Sequence, residues 1–439
     1  MIPLLTLSEM RDADAKAVAL RGQDALVRDA GTAVGLSAQR LLGRCYGRRV
    51  CVVAGPGLNG ADGRVAARWL TSRGALVRVL DWNQLPTLLE GYDLVVDAAF
   101  GTGCSRPYLA PKAARDTLVL AVDLPSGVDT DSGAILGEPM VATATIALGA
   151  FKPAHFSGPS VEYVGELHFA GLGIATTTRD GLVDDDDLTS LISSNVDDHK
   201  WGHAVQAFVG STLMPGAAEL VLRGALAGGA SMIRLVSRGD VASQVRVPPE
   251  VVHLKESAVD PRCKAVVAGP GLGPNAPAWL REGLSTAQCP VVVDADGLDR
   301  AFIDQCAPHD GSWVLTPHAG EFERLTGHSV SLDRIDDVRR LAHETGCVVL
   351  LKGPRTFVAH PNGALHIVTS GTTSLATAGT GDVLAGLIAA TIARGHDPFG
   401  AAALAAHLHG RAGAALTPYA TASEVATSIR TLVGRLPRR

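Results

Sequence analysis

The sequence predicts an α/β protein of two domains, each built on a parallel sheet packed against helices. Three observations carry this expectation. Short β-branched apolar runs alternate with alanine-rich stretches along nearly the whole chain, the rhythm of βαβ units. At 439 residues the chain is too long for one ordinary core. The rhythm breaks once, in a polar stretch from Ala175 to Lys200 that holds TTTRD, DDDD and SSNVDDHK.

The first series of strands is expected at Val50–Ala54, Leu76–Leu80, Leu94–Val96, Leu118–Val122 and Thr145–Leu148. The second is expected at Gln206–Val209, Ile233–Val236, Ala265–Ala268, Val291–Val293, Val314–Leu315 and Val348–Leu351. This places one domain at 1–180, a linker at 181–200 and a second domain at 201–439. The acidic run Asp184–Asp187 reads as solvated linker or a helix start. Like charges repel, and a metal site would need several converging ligands. His407 and His409 lie two apart in an Ala/Leu-rich helix and so face different ways, as surface or packing residues.

Composition narrows the class. A hydrophobic content of 46% with 19% charged residues fits a globular chain and not a disordered one. The formal net charge of -5 gives no basis for nucleic acid or an anionic membrane as partner. Seven cysteines stand singly, without a C-x-x-C pair, which suits a reducing cytoplasm. Neither a signal peptide nor an apolar run long enough to span a membrane is evident.

Polar and glycine residues gather just after the strands, where open α/β sheets bind ligands. In the first domain Val50–Ala54 runs into GPGLNGADG and then a helix with Val65, Ala66, Trp69 and Leu70 on one face. Strand, glycine loop and helix make a phosphate-binding arrangement. It matches neither a Walker A sequence nor G-x-G-x-x-G. Two more strands end in VDAAFGTG and VDLPSG, placing Asp97 and Asp123 at strand ends beside glycine turns. Each carboxylate could cap its turn, or the two could share a site. Lys152 follows a fifth strand.

These segments resemble the NAD(P)H-hydrate epimerase domain, over most of residues 1–175. The family's loop usually reads G-x-G-N-N-G-G-D-G, so Leu58 and Ala61 depart from it. The resemblance implies a Rossmann-like domain in which Leu58, Asn59, Gly60, Ala61 and Asp62 bind the hydrate. Gly101, Thr102, Gly103, Cys104, Ser105, Arg106 and Pro107 would bind it too. It further implies a potassium ion on Asn59, Asp97 and Ser126, a set of hard oxygen ligands suited to an alkali cation. Asp123 matches the family's substrate-binding acid. It is the expected proton carrier for epimerisation at nicotinamide C6, with Lys152 a second candidate.

In the second domain, strands end in Gly210-Ser211, GPGLG (269–273), Asp294-Ala295-Asp296, TPHAGEF (316–322) and Lys352-Gly353-Pro354-Arg355-Thr356. His318 could be a hydrogen-bonded structural histidine, and Asp294 or Asp296 could cap the next helix. Lys352 directly follows an apolar strand, at the sheet's carboxyl edge, where an anion could neutralise it. The run Gly379-Thr380-Gly381-Asp382 then opens an apolar helix. Free N–H groups and the positive dipole end make such a junction an anion site. A carboxylate beside a bound phosphate calls for a chemical reason, such as proton removal, unless Asp382 is only the helix cap.

This ordered set resembles the ADP- or ATP-dependent NAD(P)H-hydrate dehydratase domain, over about residues 200–435. The resemblance implies a ribokinase-like fold. Ala217, Gly273, His318 and Asp382 would contact the hydrate, with Asp382 as base. Lys352–Thr356, together with Gly379, Thr380 and Gly381, would hold the adenine nucleotide, with magnesium. The family often has a G-N-P-G-like segment where this chain reads Gly371-Thr372-Thr373-Ser374. The two halves together imply a bifunctional, homo-oligomeric repair enzyme for hydrated NADH and NADPH, with ADP as the favoured co-substrate. The alternative is a small-molecule kinase with a non-catalytic nucleotide-binding first domain, since the same junction serves phosphoryl transfer to an alcohol.

Overall fold

The computed structural model describes residues 1–192, 199–241, 243–255, 258–273 and 275–436. The rest of the expected linker, including most of SSNVDDHK, lies outside the described residues. The chain forms two compact units, Ile2–Gly181 and Leu182–Arg439, the latter with Met1.

The first unit carries a six-stranded sheet. Read across it, the strands are Glu166–Ala170, Ala144–Leu148, Leu118–Val122, Leu94–Ala98, Arg49–Ala54 and Leu76–Asp81, all parallel. Alternation along Arg49–Ala54 explains why the strand is apolar on both faces. Val50, Val52 and Ala54 pack under helices Gln23–Leu42 and Leu58–Thr71 through Ala30, Val34, Ala38, Ala66 and Leu70. Cys51 and Val53 face the other way, onto Leu89, Tyr108 and Met140. That second face is covered by loops and two-residue strands. The three α-helices of the unit, Leu7–Arg21, Gln23–Leu42 and Leu58–Thr71, all precede Ser72. The βα rhythm expected throughout therefore holds only for the first half of this unit. Thr6 caps the first of these helices in a capping box with Glu9.

In the second unit the central sheet follows the order Leu365–Val368, Thr356–Ala359, Val348–Leu351, Trp313–Leu315, Val291–Val293, Ala265–Ala268, Ala204–Ser211, Met232–Arg238, Val251–His253. Pairings are parallel except around Thr356–Ala359, which is antiparallel to both neighbours. Helices Pro215–Ala227 and Thr380–Ala393 lie on one face, over Val205, Ala207, Val267, Val292 and Val314. The helix Thr380–Ala393 is apolar all round, as a helix buried on every side must be.

These two helices cross at glycines. A Cβ on Gly386 would meet the Val221 carbonyl oxygen at 2.1 Å, and one on Gly224 would meet that of Val383 at 2.1 Å. Gly386→Val forces the backbones apart and should cost about 1–3 kcal/mol. Thermal melting should fall by several degrees, and an unchanged melting temperature would contradict the close crossing.

Among the described residues no helix is long and apolar enough to cross a membrane.

Candidate functional site

In the first unit a cavity of about 410 Å³ opens at the carboxyl ends of the central strands. The helix Leu58–Thr71 begins within the glycine motif, so Asn59, Gly60, Ala61 and Asp62 are helical and not loop residues. Asn59 and Asp62 line the cavity from that helix, with Leu58 at its N-terminus. Gly101, Thr102 and Gly103 line it from the turn after Leu94–Ala98. A Cβ on Gly101 would stand 3.1 Å from Asn59 Oδ1 and 3.3 Å from Asp123 Oδ2, so glycine keeps both groups accessible.

Asp123 sits just past Leu118–Val122 with φ 68, a left-handed conformation that aspartate tolerates better than most residues. Its Oδ1 accepts a hydrogen bond from Lys152 Nζ and one from the Leu148 amide at 3.3 Å. Lys152 is completely buried and also donates to the Leu148 carbonyl at 2.8 Å. His155 Nε2 lies 2.7 Å from the Asp123 carbonyl oxygen. Burial, with Lys152 adding to it, pushes the His155 imidazole down to about 4 and keeps it neutral.

Asp97 is fully buried behind this cavity and has neutral partners. It accepts from Ser126 Oγ at 2.6 Å, the Ser126 amide at 2.9 Å and the Ala99 amide at 3.4 Å. Burial raises its pKa against those hydrogen bonds. Asn59 Nδ2 is buried without a partner, and exchanging the amide's N and O would present an oxygen there. A buried carboxylate with neutral partners and an orphaned amide suit a cation.

In the second unit, the segments after three neighbouring strands bring Asp294, Glu321 and Lys352 together near Gly381, at the start of Thr380–Ala393. Lys352 Nζ donates to Asp294 Oδ1 at 2.8 Å and stands 3.5 Å from Glu321 Oε2. Burial alone would lower the lysine's pKa, but Asp294 and Glu321 outweigh it and hold the ammonium charged. A Cβ on Gly381 would stand 3.6 Å from that ammonium. Gly379, not Asp382, occupies the helix N-cap, and the Thr380 hydroxyl bonds back to the Leu375 carbonyl at 2.8 Å. Asp382 is thereby free of a capping duty. Burial, with Asp294 adding to it and Lys352 opposing, pushes its carboxyl up to about 7.

His318 caps the helix Ala319–Thr326, with Nδ1 accepting from the Gly320 and Glu321 amides, and remains 56% exposed in its side chain. It is at once hydrogen-bonded and open to a ligand. Asp294 makes no side-chain cap, because its carboxylate is taken by Lys352. Asp296 accepts from the Gly273 amide at 2.8 Å, and Asp299 caps the next α-helix. The helix-capping alternative for Asp294 and Asp296 is thus replaced by roles in holding the site's loops. Ala217, in the first turn of Pro215–Ala227, backs the GPGLG loop, since a Cβ on Gly271 would meet its methyl at 2.6 Å.

The family model for NAD(P)H-hydrate dehydratase matches residues 205–434, and that for YjeF-related protein N-termini matches 23–91 and 80–154. A bifunctional NAD(P)H-hydrate repair enzyme of Mycobacterium tuberculosis is 36% identical over 89% of this chain and 89% of its own. The chain belongs to the family of bifunctional NAD(P)H-hydrate repair enzymes. An ADP/ATP-dependent NAD(P)H-hydrate dehydratase of Bacillus subtilis, crystallised with ATP and Mg2+, is 26% identical. It covers 58% of this chain and 98% of its own, with a TM-score of 0.52. A ribokinase-like protein of Enterococcus faecalis, 21% identical with a TM-score of 0.53, shares the fold over 60% of this chain and 99% of its own.

For this repair-family chain, the cavity gathers Leu58, Asn59, Asp62, Gly101, Thr102, Gly103, Asp123 and Lys152 of the residues expected from sequence. Gly60, Ala61 and Cys104–Pro107 do not line it. Gly60 packs instead on Gly55, and Cys104 is buried in its own turn, its amide bonded to the Gly101 carbonyl. Asp14, Gln23 and Leu26, from the N-terminal helices, line it and carry no sequence signal of doing so. Glu321 was visible only as a letter of TPHAGEF. Of the two readings given for His407 and His409, surface or packing, packing holds, since both are buried. His407 Nε2 meets Asp185 Oδ1 at 2.9 Å, so part of the acidic run is paired and not merely solvated.

Proposed function

We propose that this chain repairs hydrated NADH and NADPH in two steps divided between its units. The Ile2–Gly181 cavity interconverts the R and S hydrates at C6. The second unit dehydrates the S form with an adenine nucleotide, ADP in preference to ATP. The observation that carries this reading is the grouping of Asp382, Lys352, Asp294 and Glu321 at one helix N-terminus, on the same chain as the Asp123–Lys152 cavity.

Hydroxide is a poor leaving group from C6. Asp382 removes the hydroxyl proton, and the oxygen attacks the terminal phosphoryl group. The new O–P bond forms as the phosphoanhydride bond breaks, releasing the shortened nucleotide. The N–H groups of Gly379 and Gly381 and the Lys352 ammonium stabilise the transferring charge. Phosphate then leaves C6 with the C–O electron pair while N1 pushes in its lone pair. Loss of a C5 proton restores the dihydropyridine. His318 and Gly273 bound the hydrate side, and Lys352–Thr356 bounds the nucleotide side. Magnesium would be held by the nucleotide's phosphates and would neutralise part of their charge.

In the first unit, Asp123, paired with Lys152, takes and returns the proton exchanged as C6 is epimerised. Potassium fits against Asn59, Asp97 and Ser126, where it would neutralise the buried carboxylate. Assembly of several copies and a cytoplasmic setting belong to the same reading. Asp123→Asn should reduce consumption of the R hydrate to its spontaneous epimerisation rate. R hydrate consumed by that variant at the wild-type rate would leave the first unit a binding module only.

A further inference from the structure

The cavity of the first unit holds three carboxyl groups and one ammonium. Asp14 comes from the helix Leu7–Arg21, Asp62 from Leu58–Thr71 and Asp123 from the end of a central strand. Lys152 is committed to Asp123 and to the Leu148 carbonyl. Asp62 is 6% exposed, yet its Oδ1 is buried without a hydrogen-bond partner. An ionised carboxylate in that position would be desolvated and uncompensated. A neutral carboxyl carries a much smaller penalty and has a proton to give. Its surroundings agree, since burial, then Asp123 and Asp14, push it up to about 8. Asp14 is itself pushed up to about 6 by burial, with Lys152 opposing and Asp123 adding. His155, the remaining titratable neighbour, is held neutral.

We propose that Asp62 is the general acid of the epimerisation, with Asp14 a positioning residue whose charge keeps the proton on it. This rests on the epimerase reading of the cavity. Asp62 gives its proton to the C6 hydroxyl. The C6–O bond breaks, its electron pair leaves with water, and the N1 lone pair forms N1=C6. Water adds to C6 from the other face, and the Asp123 carboxylate takes its proton. The proton then returns from Asp123 to Asp62 through the released water, so no other reactant is consumed.

The test measures R-to-S conversion by the full chain, with the two epimers separated chromatographically and the spontaneous rate subtracted. Asp62→Asn should lower kcat roughly 100-fold or more with KM changed little, the retained KM reporting a folded cavity. The wild-type kcat should fall as pH rises through about 8, because the protonated acid is the active form. Asp14→Asn removes a like charge and should move that limb to lower pH. In water labelled with 18O, the S product should carry the label at its C6 hydroxyl. A kcat for Asp62→Asn within about threefold of wild type overturns the assignment, as does an unlabelled product. Failure of the wild-type chain itself to accelerate the conversion would instead remove the epimerase reading beneath it.

Discussion

Asp382→Asn should slow dehydration of the S hydrate by about 100- to 10,000-fold, the usual worth of a positioned proton acceptor. The substitution keeps the size of the side chain and leaves Gly379 as the helix cap, so melting should hardly change. The wild-type rate should rise with pH through about 7, because the base acts only when ionised. In the variant that limb should vanish. A variant that keeps the limb would move the base to another group. The cause of the raised pKa is also the cause of the function. Burial and the charges of Asp294, Asp296 and Glu321 disfavour the anion, and Lys352 restrains the shift.

Lys352→Met is expected to strike stability and activity together. The ammonium is mostly enclosed between the buried carboxylates of Asp294 and Glu321, its side chain 20% exposed, and removing it leaves both without a counter-charge. Loss of one partner of a buried ion pair costs about 3–5 kcal/mol. The native pair is intact across the neutral range, because the raised lysine pKa is lost only as pH climbs through it. The variant's deficit should therefore be large at neutral and mildly alkaline pH. It should shrink as pH falls and the stranded carboxyls take up protons. Melting curves across that range measure it. A deficit independent of pH would mean that packing, and not charge, sets the cost.

Much of the sheet was legible because its strands are runs of valine and alanine buried on both faces, such as Val291–Val293 and Ala265–Ala268. Glu166–Ala170 escaped because an edge strand alternates polar and apolar residues and reads as loop. The hairpin Thr356–Ala359 with Leu365–Val368 escaped despite Asn362-Gly363 at its turn, a signal that was there to be used. At the site, the residues after each strand were legible because parallel sheets bind at that edge. Their pairings were not. Lys352 and Asp294 are 58 positions apart, and only strand order makes them neighbours. Asp14 was wholly hidden, since its place in the cavity depends on how the first helix docks within its unit.

The central claim is that one chain runs both halves of the repair, with phosphoryl transfer serving an elimination. It is tested most directly by supplying purified R and S hydrates of NADH, each with ADP or ATP, and following the absorbance of reduced nicotinamide. The S form should regain full absorbance with release of phosphate and the shortened nucleotide. The R form should follow it faster than it epimerises alone. A stable phosphorylated alcohol with no returning absorbance would contradict the account and leave a kinase in its place.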